Sequence, residues 1–423
     1  MSVTRRRLLY GVGSFGSSLL QQTVLLWIFF YYAPPAGQGL PTRVPASLMG
    51  LAMAIGRLVD AIADPPVAYL SDRLRSVRGR RRPFIIVGAP LLALAFALLW
   101  RPPDAAASTA NFIYVTAVLA AFFFLFTTVL NPYIALLPEI TSPGAARTAT
   151  AAWQASFSLA GLATAYVTSG ILSSRFGFPV MGLVLAIPGL AALWIAGLSV
   201  REQTVYEDAV PFWRTLRGIL ANRRFRVFVV GLTLLWFGLS MVNLSLAFDV
   251  TVLMGLPRSA VGILLGAAVS IALISFPGIY ALTRRKGKRD TLMLAMGTAA
   301  VIVPFIGAIG LIPGPLSRAT QGYVLIALAG PPLAALFVLP NAILADIAES
   351  HAATTGERSE AMFFAFQGLV FNGTTSLAAA ALGGILQWLG YSPENPLGLR
   401  VVPAIAAITV AAGAFVFSKY PRD

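Results

Sequence analysis

The sequence predicts an all-α membrane protein of twelve transmembrane helices in two six-helix bundles, with both termini on the cytoplasmic side. Three observations predict it. The 423 residues are 57% hydrophobic and only 11% charged, with a mean hydropathy of +0.79, whereas a soluble domain carries roughly a quarter charged residues. Apolar runs long enough to cross a bilayer recur twelve times. The basic residues between those runs fall almost entirely on alternate loops, as they do in membrane proteins of fixed orientation.

The runs lie at about 8–33, 46–71, 84–101, 110–138, 148–173, 179–200, 225–250, 259–283, 291–312, 320–347, 359–389 and 399–418. The first follows the basic start Arg5-Arg6-Arg7. No small-residue cleavage site follows it, so it reads as a retained helix rather than a leader. The second carries charges at bilayer depth, taken up below. Proline and glycine interrupt several others, among them Pro132, Pro188, Pro277, Pro331, Pro332 and Pro340. Membrane helices tolerate such breaks because neighbouring helices re-satisfy the freed backbone groups.

Of the 31 lysines and arginines, 24 fall at the N-terminus, in the loops after spans two, four, six, eight and ten, and at the C-terminus. The opposite loops hold six single arginines: Arg43, Arg101, Arg175, Arg258, Arg318 and Arg400. This bias places both termini in the cytoplasm. It also accounts for the net charge of +15 without a nucleic-acid partner. A basic linker, 201–224, separates an N-terminal bundle, 1–200, from a C-terminal bundle, 225–423. Within the linker, 211–220 has the spacing of a helix lying on the membrane surface. The halves echo each other. A basic loop follows the second span of each (72–83 and 284–290), and an acid, Glu139 or Asp346, ends the fourth span of each. Such a repeat predicts a substrate cavity near the midplane between the halves.

The sharpest clue to function is Gly56-Arg57-Leu-Val-Asp60-Ala-Ile-Ala-Asp64-Pro65-Pro66 in span two. Positions 57, 60 and 64 share one helix face, and charges at this depth usually line an ion or substrate path. One arginine cannot neutralise two carboxylates, so the remaining acid must take a cation or a proton. Pro65 and Pro66 have no N–H for the carbonyls of Ala61 and Ile62, whose oxygens are then available to a cation or a hydroxyl.

Several motifs, in order and in register with the spans, resemble the major facilitator superfamily. More narrowly, they resemble the glycoside–pentoside–hexuronide:cation symporters, the melibiose-permease-like family. They are Tyr10-Gly-Val-Gly-Ser-Phe-Gly16, the Arg57 to Pro65 run, Ser71-Asp72-Arg73 through Gly79-Arg80-Arg81-Arg82-Pro83, Asn131-Pro132-Tyr133 through Pro138-Glu139, and Ala345-Asp346-Ile347 followed by Gly356-Glu357-Arg358-Ser359-Glu360. The resemblance implies a secondary transporter that works by alternating access and takes up a small solute with sodium or protons. The cation role carries over onto Asp60 and Asp64, with Thr127 at the position of a fourth-helix hydroxyl and Arg57 as charge partner. Sodium-using relatives have an asparagine where this chain has Ala63. A hard cation needs several oxygens, so this loss favours protons. No further cofactor or metal is implied.

The family's sugar-binding charges are absent at every matched position, which hold Ser17-Ser18, Leu130, Gln154 and Asn372. What remains is amide, hydroxyl and aromatic: Gln21, Gln22, Thr23, Asn243, Gln367, Asn372 and Thr374, with Trp27, Trp153 and Trp236 as stacking faces. This set suits an uncharged sugar-like solute; a lysolipid or an amphipathic drug-like compound on the same fold is the alternative. Asp72, Arg73, Arg80, Glu139, Arg147, Asp346 and Arg358 sit at the cytoplasmic ends of helices as candidate gate residues, with Glu139 and Asp346 near arginines such as Arg147 and Arg358. The lone histidine, His351, reads as solvated in a polar loop. With one histidine and no cysteine, a membrane enzyme is a remote alternative. The chain is expected to act as a monomer in a bacterial inner membrane, with the bilayer and a small molecule as its partners.

Overall fold

The computed structural model describes residues 3–74, 76, 79–141, 145–200, 218–355 and 360–421. Among them there is no strand. The helices are α1 (Val3–Tyr32), α2 (Ala46–Arg73), α3 (Arg82–Leu98), α4 (Thr109–Ala135), a short α5 (Leu137–Ile140), α6 (Ala145–Arg175), α7 (Phe178–Ser199), α8 (Arg223–Phe248) with a π turn at Asp249–Leu253, α9 (Arg258–Ile302), a short α10 (Pro304–Gly307), α11 (Arg318–Thr355), α12 (Glu360–Leu389) and α13 (Leu397–Phe417). Among the described residues, ten helical stretches are long and apolar enough to cross a membrane, and α3 is a shorter apolar one. The protein is a multi-pass membrane protein.

Several expected boundaries differ. The span expected at 84–101 is the shorter α3. The spans expected at 259–283 and 291–312 form one helical element, α9, broken only at Gly287. Gly287 has φ of 82°, a left-handed backbone that glycine enters without steric cost. A single such residue turns the chain while helical bonding continues on both sides, so the basic segment 284–290 is not a free loop. The basic stretch 201–217, with most of the expected surface helix 211–220, lies outside the described residues.

The chain divides into two compact units: Met1–Glu207 with Pro257–Ile263, and Asp208–Leu256 with Leu264–Asp423. In the first, α1 packs on α6 and α7, α2 on α4, and α3 on α4 and α7. Small residues set these approaches, as they do between membrane helices. A Cβ on Gly161 of α6 would come within 2.4 Å of the Phe15 carbonyl of α1, and one on Gly16 within 2.6 Å of the Gly189 carbonyl of α7. Tyr10 and Tyr133 tie α1 to α4: each hydroxyl donates to the other residue's carbonyl, at 2.7 and 2.8 Å, and the rings stack.

In the second unit α8 packs on α12 and α13. Its core joins Phe225, Phe228, Leu232 and Leu235 to Leu292 and Met296 of α9, Leu339 and Ile343 of α11, Phe363 of α12 and Phe417 of α13. The α8–α13 approach again rests on glycine, since a Cβ on Gly238 would lie 2.6 Å from the Ala406 carbonyl. His351 is buried, edge-on to Phe363. It is not the solvated loop residue the sequence suggests, because α11 continues through it to Thr355.

Candidate functional site

The clearest constellation lies in the first unit, where α2 and α4 run side by side in the same direction. On α2 the acids are four residues apart, at 60 and 64; on α4 the donors are four apart, at 127 and 131. Thr127 Oγ1 donates to Asp60 Oδ1, and Asn131 Nδ2 donates to Asp64 Oδ1 at 3.0 Å. Both rungs join residues 67 apart in sequence, which is what two parallel helices in fixed register produce. Gly56 permits the approach: a Cβ there would sit 2.9 Å from the Phe123 ring. Arg57 extends along the same face. Its Nη1 donates to Asp60 Oδ2 at 3.2 Å, and its guanidinium lies 4.5 Å from the centre of the Phe123 ring, a cation–π arrangement.

The two acids are therefore unequal. Arg57 is 1% exposed, Asp60 4% and Thr127 2%, so the first rung is a closed ion pair with its carboxylate saturated from two sides. Asp64 is half-buried and has neutral partners, the Asn131 amide at 3.0 Å and the Thr127 hydroxyl within hydrogen-bond reach. The face next to it is open: Pro65 and Pro66 are exposed. In a low-dielectric surrounding the unbalanced acid is the one that gains from an added cation or proton.

The structure brings Arg57, Asp60, Asp64 and Thr127 together and adds Asn131, which the sequence reading names only within a motif. A signal was present, because Thr127 and Asn131 repeat the four-residue step of the two acids. The substrate candidates are dispersed. Gln21 is half-buried on α1; Gln22 accepts from the Tyr166 hydroxyl at 3.3 Å. Trp153 is 40% exposed on α6, and Gln154 lies within hydrogen-bond reach of Tyr10 and Tyr133. In the second unit Asn243 and Asn372 are half-buried, and Gln367 donates to Asn341 at 3.3 Å. Other candidates are used up in packing. Thr23 and Thr374 bond carbonyls of their own helices. Trp27 is fully buried and donates to Ser169, and Trp236 meets Phe371 edge-on.

Among the gate candidates, Asp346 is paired with Lys288, at 2.6 and 2.7 Å. The expected arginine neighbours do not enter this pair: Arg358 lies outside the described residues, as do the side chains of Asp72, Glu139 and Arg147. The pair joins α9, next to its Gly287 break, to α11. With both side chains more than a third exposed, it contributes about 0–1 kcal/mol. Arg73 covers the Tyr69 ring and Arg80 is half-buried. The next two arginines hold helix ends: Arg81 donates to the Ala135 carbonyl of α4 and Arg82 to the Gly197 carbonyl of α7. Basic groups at helix C-termini complement the helix dipole.

Comparison with known proteins concerns the chain as a whole. A family profile described as MFS/sugar transport protein matches residues 9–418. A Synechocystis protein described as an uncharacterized symporter is 23% identical over 96% of this chain and 90% of its own length. The mouse sodium-dependent lysophosphatidylcholine symporter 1 is 24% identical over 90% of this chain and 79% of its own. Among solved structures, the nucleoside transporter NupG superposes with a TM-score of 0.72, at 13% identity over 99% of this chain and 99% of that one. At that identity the likeness is one of fold.

Proposed function

The chain belongs to the MFS/sugar transport protein family, and from that premise we propose that it is a cation-coupled symporter of a small, uncharged, sugar-like solute, working by alternating access. Asp60 and Asp64 are its coupling pair, and Asp64 is the member that takes the ion. One observation carries this reading: of two acids four residues apart, only Asp60 has a cationic partner among the described residues. Loading Asp64 cancels the excess charge and lets that face close, whereas closing over a bare carboxylate is disfavoured.

The ion is a proton. Position 63 is alanine, so the amide oxygen that sodium-using relatives place there is missing, and a hard cation needs several oxygens. A proton needs one. The chain crosses the inner membrane twelve times, α9 accounting for two crossings about Gly287, with both termini in the cytoplasm. The solute is contacted by the amide side chains Gln21, Gln22, Gln154, Asn243, Gln367 and Asn372 with Trp153, and Asp72, Arg73, Arg80, Glu139, Arg147, Asp346 and Arg358 serve the gate.

A second reading has a specific observation behind it: one relative matched over most of this chain is named a sodium-dependent lysophosphatidylcholine symporter. Against it stands Asn372, where a phosphate headgroup would want a buried cation. Both readings meet one experiment. A thermal-shift screen of sugars, polyols, nucleosides and lysolipids, with and without sodium, identifies a stabilising solute. That solute is then followed into proteoliposomes under an imposed proton or sodium gradient. Asp64→Asn is expected to keep energy-independent counterflow and lose uphill accumulation. If Asp60→Asn and Asp64→Asn each keep full accumulation, the coupling role is wrong.

A further inference from the structure

A third acid lies inside a span and is used by none of this. Asp249 follows α8 at the end remote from Arg223, Arg224 and Arg226, and it is 1% exposed. Its Oδ2 accepts from the Ser245 hydroxyl at 2.8 Å, one turn earlier on the same helix. Its Oδ1 is buried with no hydrogen-bond partner among the described residues. The nearby Thr251 hydroxyl is already given to the Ala247 carbonyl, at 2.8 Å. Asp249 also opens the π turn: its carbonyl accepts from Met254 N–H at 3.0 Å, and all five residues of the turn are buried. Short π segments inside helices frequently mark functional sites.

No charged side chain among the described residues pairs with Asp249. From the segments nearby, the titratable and charged groups are engaged elsewhere or face solvent. Tyr391 is in the loop after α12, its ring set edge-on against Phe248. Glu394 is exposed in the same loop. Arg400 of α13 gives its guanidinium to the carbonyls of Gly307 and Ile309. Arg318, at the start of α11, packs beside Gly310. Arg258, next along the chain, lies over the Phe178 ring. One neutral hydroxyl cannot balance a full negative charge out of water.

We propose that Asp249 is a second proton-binding site, separate from Asp60 and Asp64, occupied in the conformation described here and emptied only when the π turn admits water. The ligand is a single proton. It sits on Oδ1, leaving Oδ2 as the carbonyl oxygen that accepts from Ser245. Release transfers the proton to water and leaves a carboxylate that must stay hydrated. Because the described conformation holds this proton and a hydrated one loses it, alkaline pH disfavours the described conformation.

Infrared spectroscopy tests this without a transport assay. Full-length protein carrying carboxyl-labelled aspartate is placed in lipid nanodiscs at neutral pH. The carbonyl stretch of a protonated aspartic acid in apolar surroundings is expected in the Asp60→Asn/Asp64→Asn double variant, where Asp249 is the fully buried aspartate left among the described residues. The band is expected to disappear in Asp249→Asn. Its absence from the double variant, or its survival in Asp249→Asn, overturns the proposal. If Asp249→Asn does not assemble, the double variant decides alone, since it keeps the native residue. Because the coupling pair is already removed there, a failure here leaves the coupling reading standing, and the reverse holds too.

Discussion

The two units each bury an acid inside a span, and they handle it in opposite ways. In the first, Asp60 is met by Arg57 from its own helix and Thr127 from a second one, and Asp64 by Asn131 from that second helix. In the other unit, the bonded partner of Asp249 is Ser245, on the same helix. The difference lies in what each arrangement can hold. A carboxylate keeps its charge out of water when a cation and hydrogen-bond donors converge on it. With one neutral donor it must give up the charge. The first unit thus holds an ion-paired acid beside one without a cationic partner among the described residues, while the second holds a buried acid bonded to a single hydroxyl.

The strongest way to break this contrast is to make Asp60 resemble Asp249. Arg57→Leu strands a buried carboxylate and is expected to cost about 3–5 kcal/mol, seen as a large drop in unfolding midpoint and folded yield. Arg57→Leu/Asp60→Leu should recover most of the loss. A stable single variant would mean that Asp60 is neutral too, and the contrast would collapse.

A middle-sized effect is expected from Ser245→Ala. It leaves Asp249 without a donor and should cost about 1–3 kcal/mol, measured by chemical unfolding in detergent. It should also shift the aspartic-acid infrared band, because the carbonyl loses its hydrogen bond. No shift would separate Ser245 from the acid. The smallest effect belongs to Asn131→Ala. Asp64 is half-buried and water can replace the amide, so about 1 kcal/mol is expected. Uphill accumulation should fall in this variant while counterflow continues. A loss as large as that of Arg57→Leu would mean that the second rung is as closed as the first.

Much of this was legible in the chain. Hydropathy locates the apolar helices, and the three-, four- and seven-residue spacing of Arg57, Asp60 and Asp64 puts them on one face. What stayed hidden has identifiable causes. Lys288 pairs with Asp346 across 58 residues, and sequence spacing carries no sign of that. Gly287 was read as part of a loop, because a glycine in a basic segment looks the same whether it ends a helix or only bends one. His351 reads as exposed from its polar neighbours, but α11 runs about two turns past the expected end, to Thr355, and lays it against Phe363. Asp249 escaped notice because it falls at the edge of its hydrophobic run, where acids are ordinarily solvated.

By itself, the sequence determined which segments form long apolar helices and which helix face carries charge, because both follow from composition and from the 3.6-residue helical period. Only the tertiary structure decided which acid is balanced. That depends on which side chains of a second helix reach each carboxylate, and so on the register of α2 against α4 set at Gly56. It also decided that Asp249 is buried, 1% exposed, which its place at the edge of a hydrophobic run does not reveal.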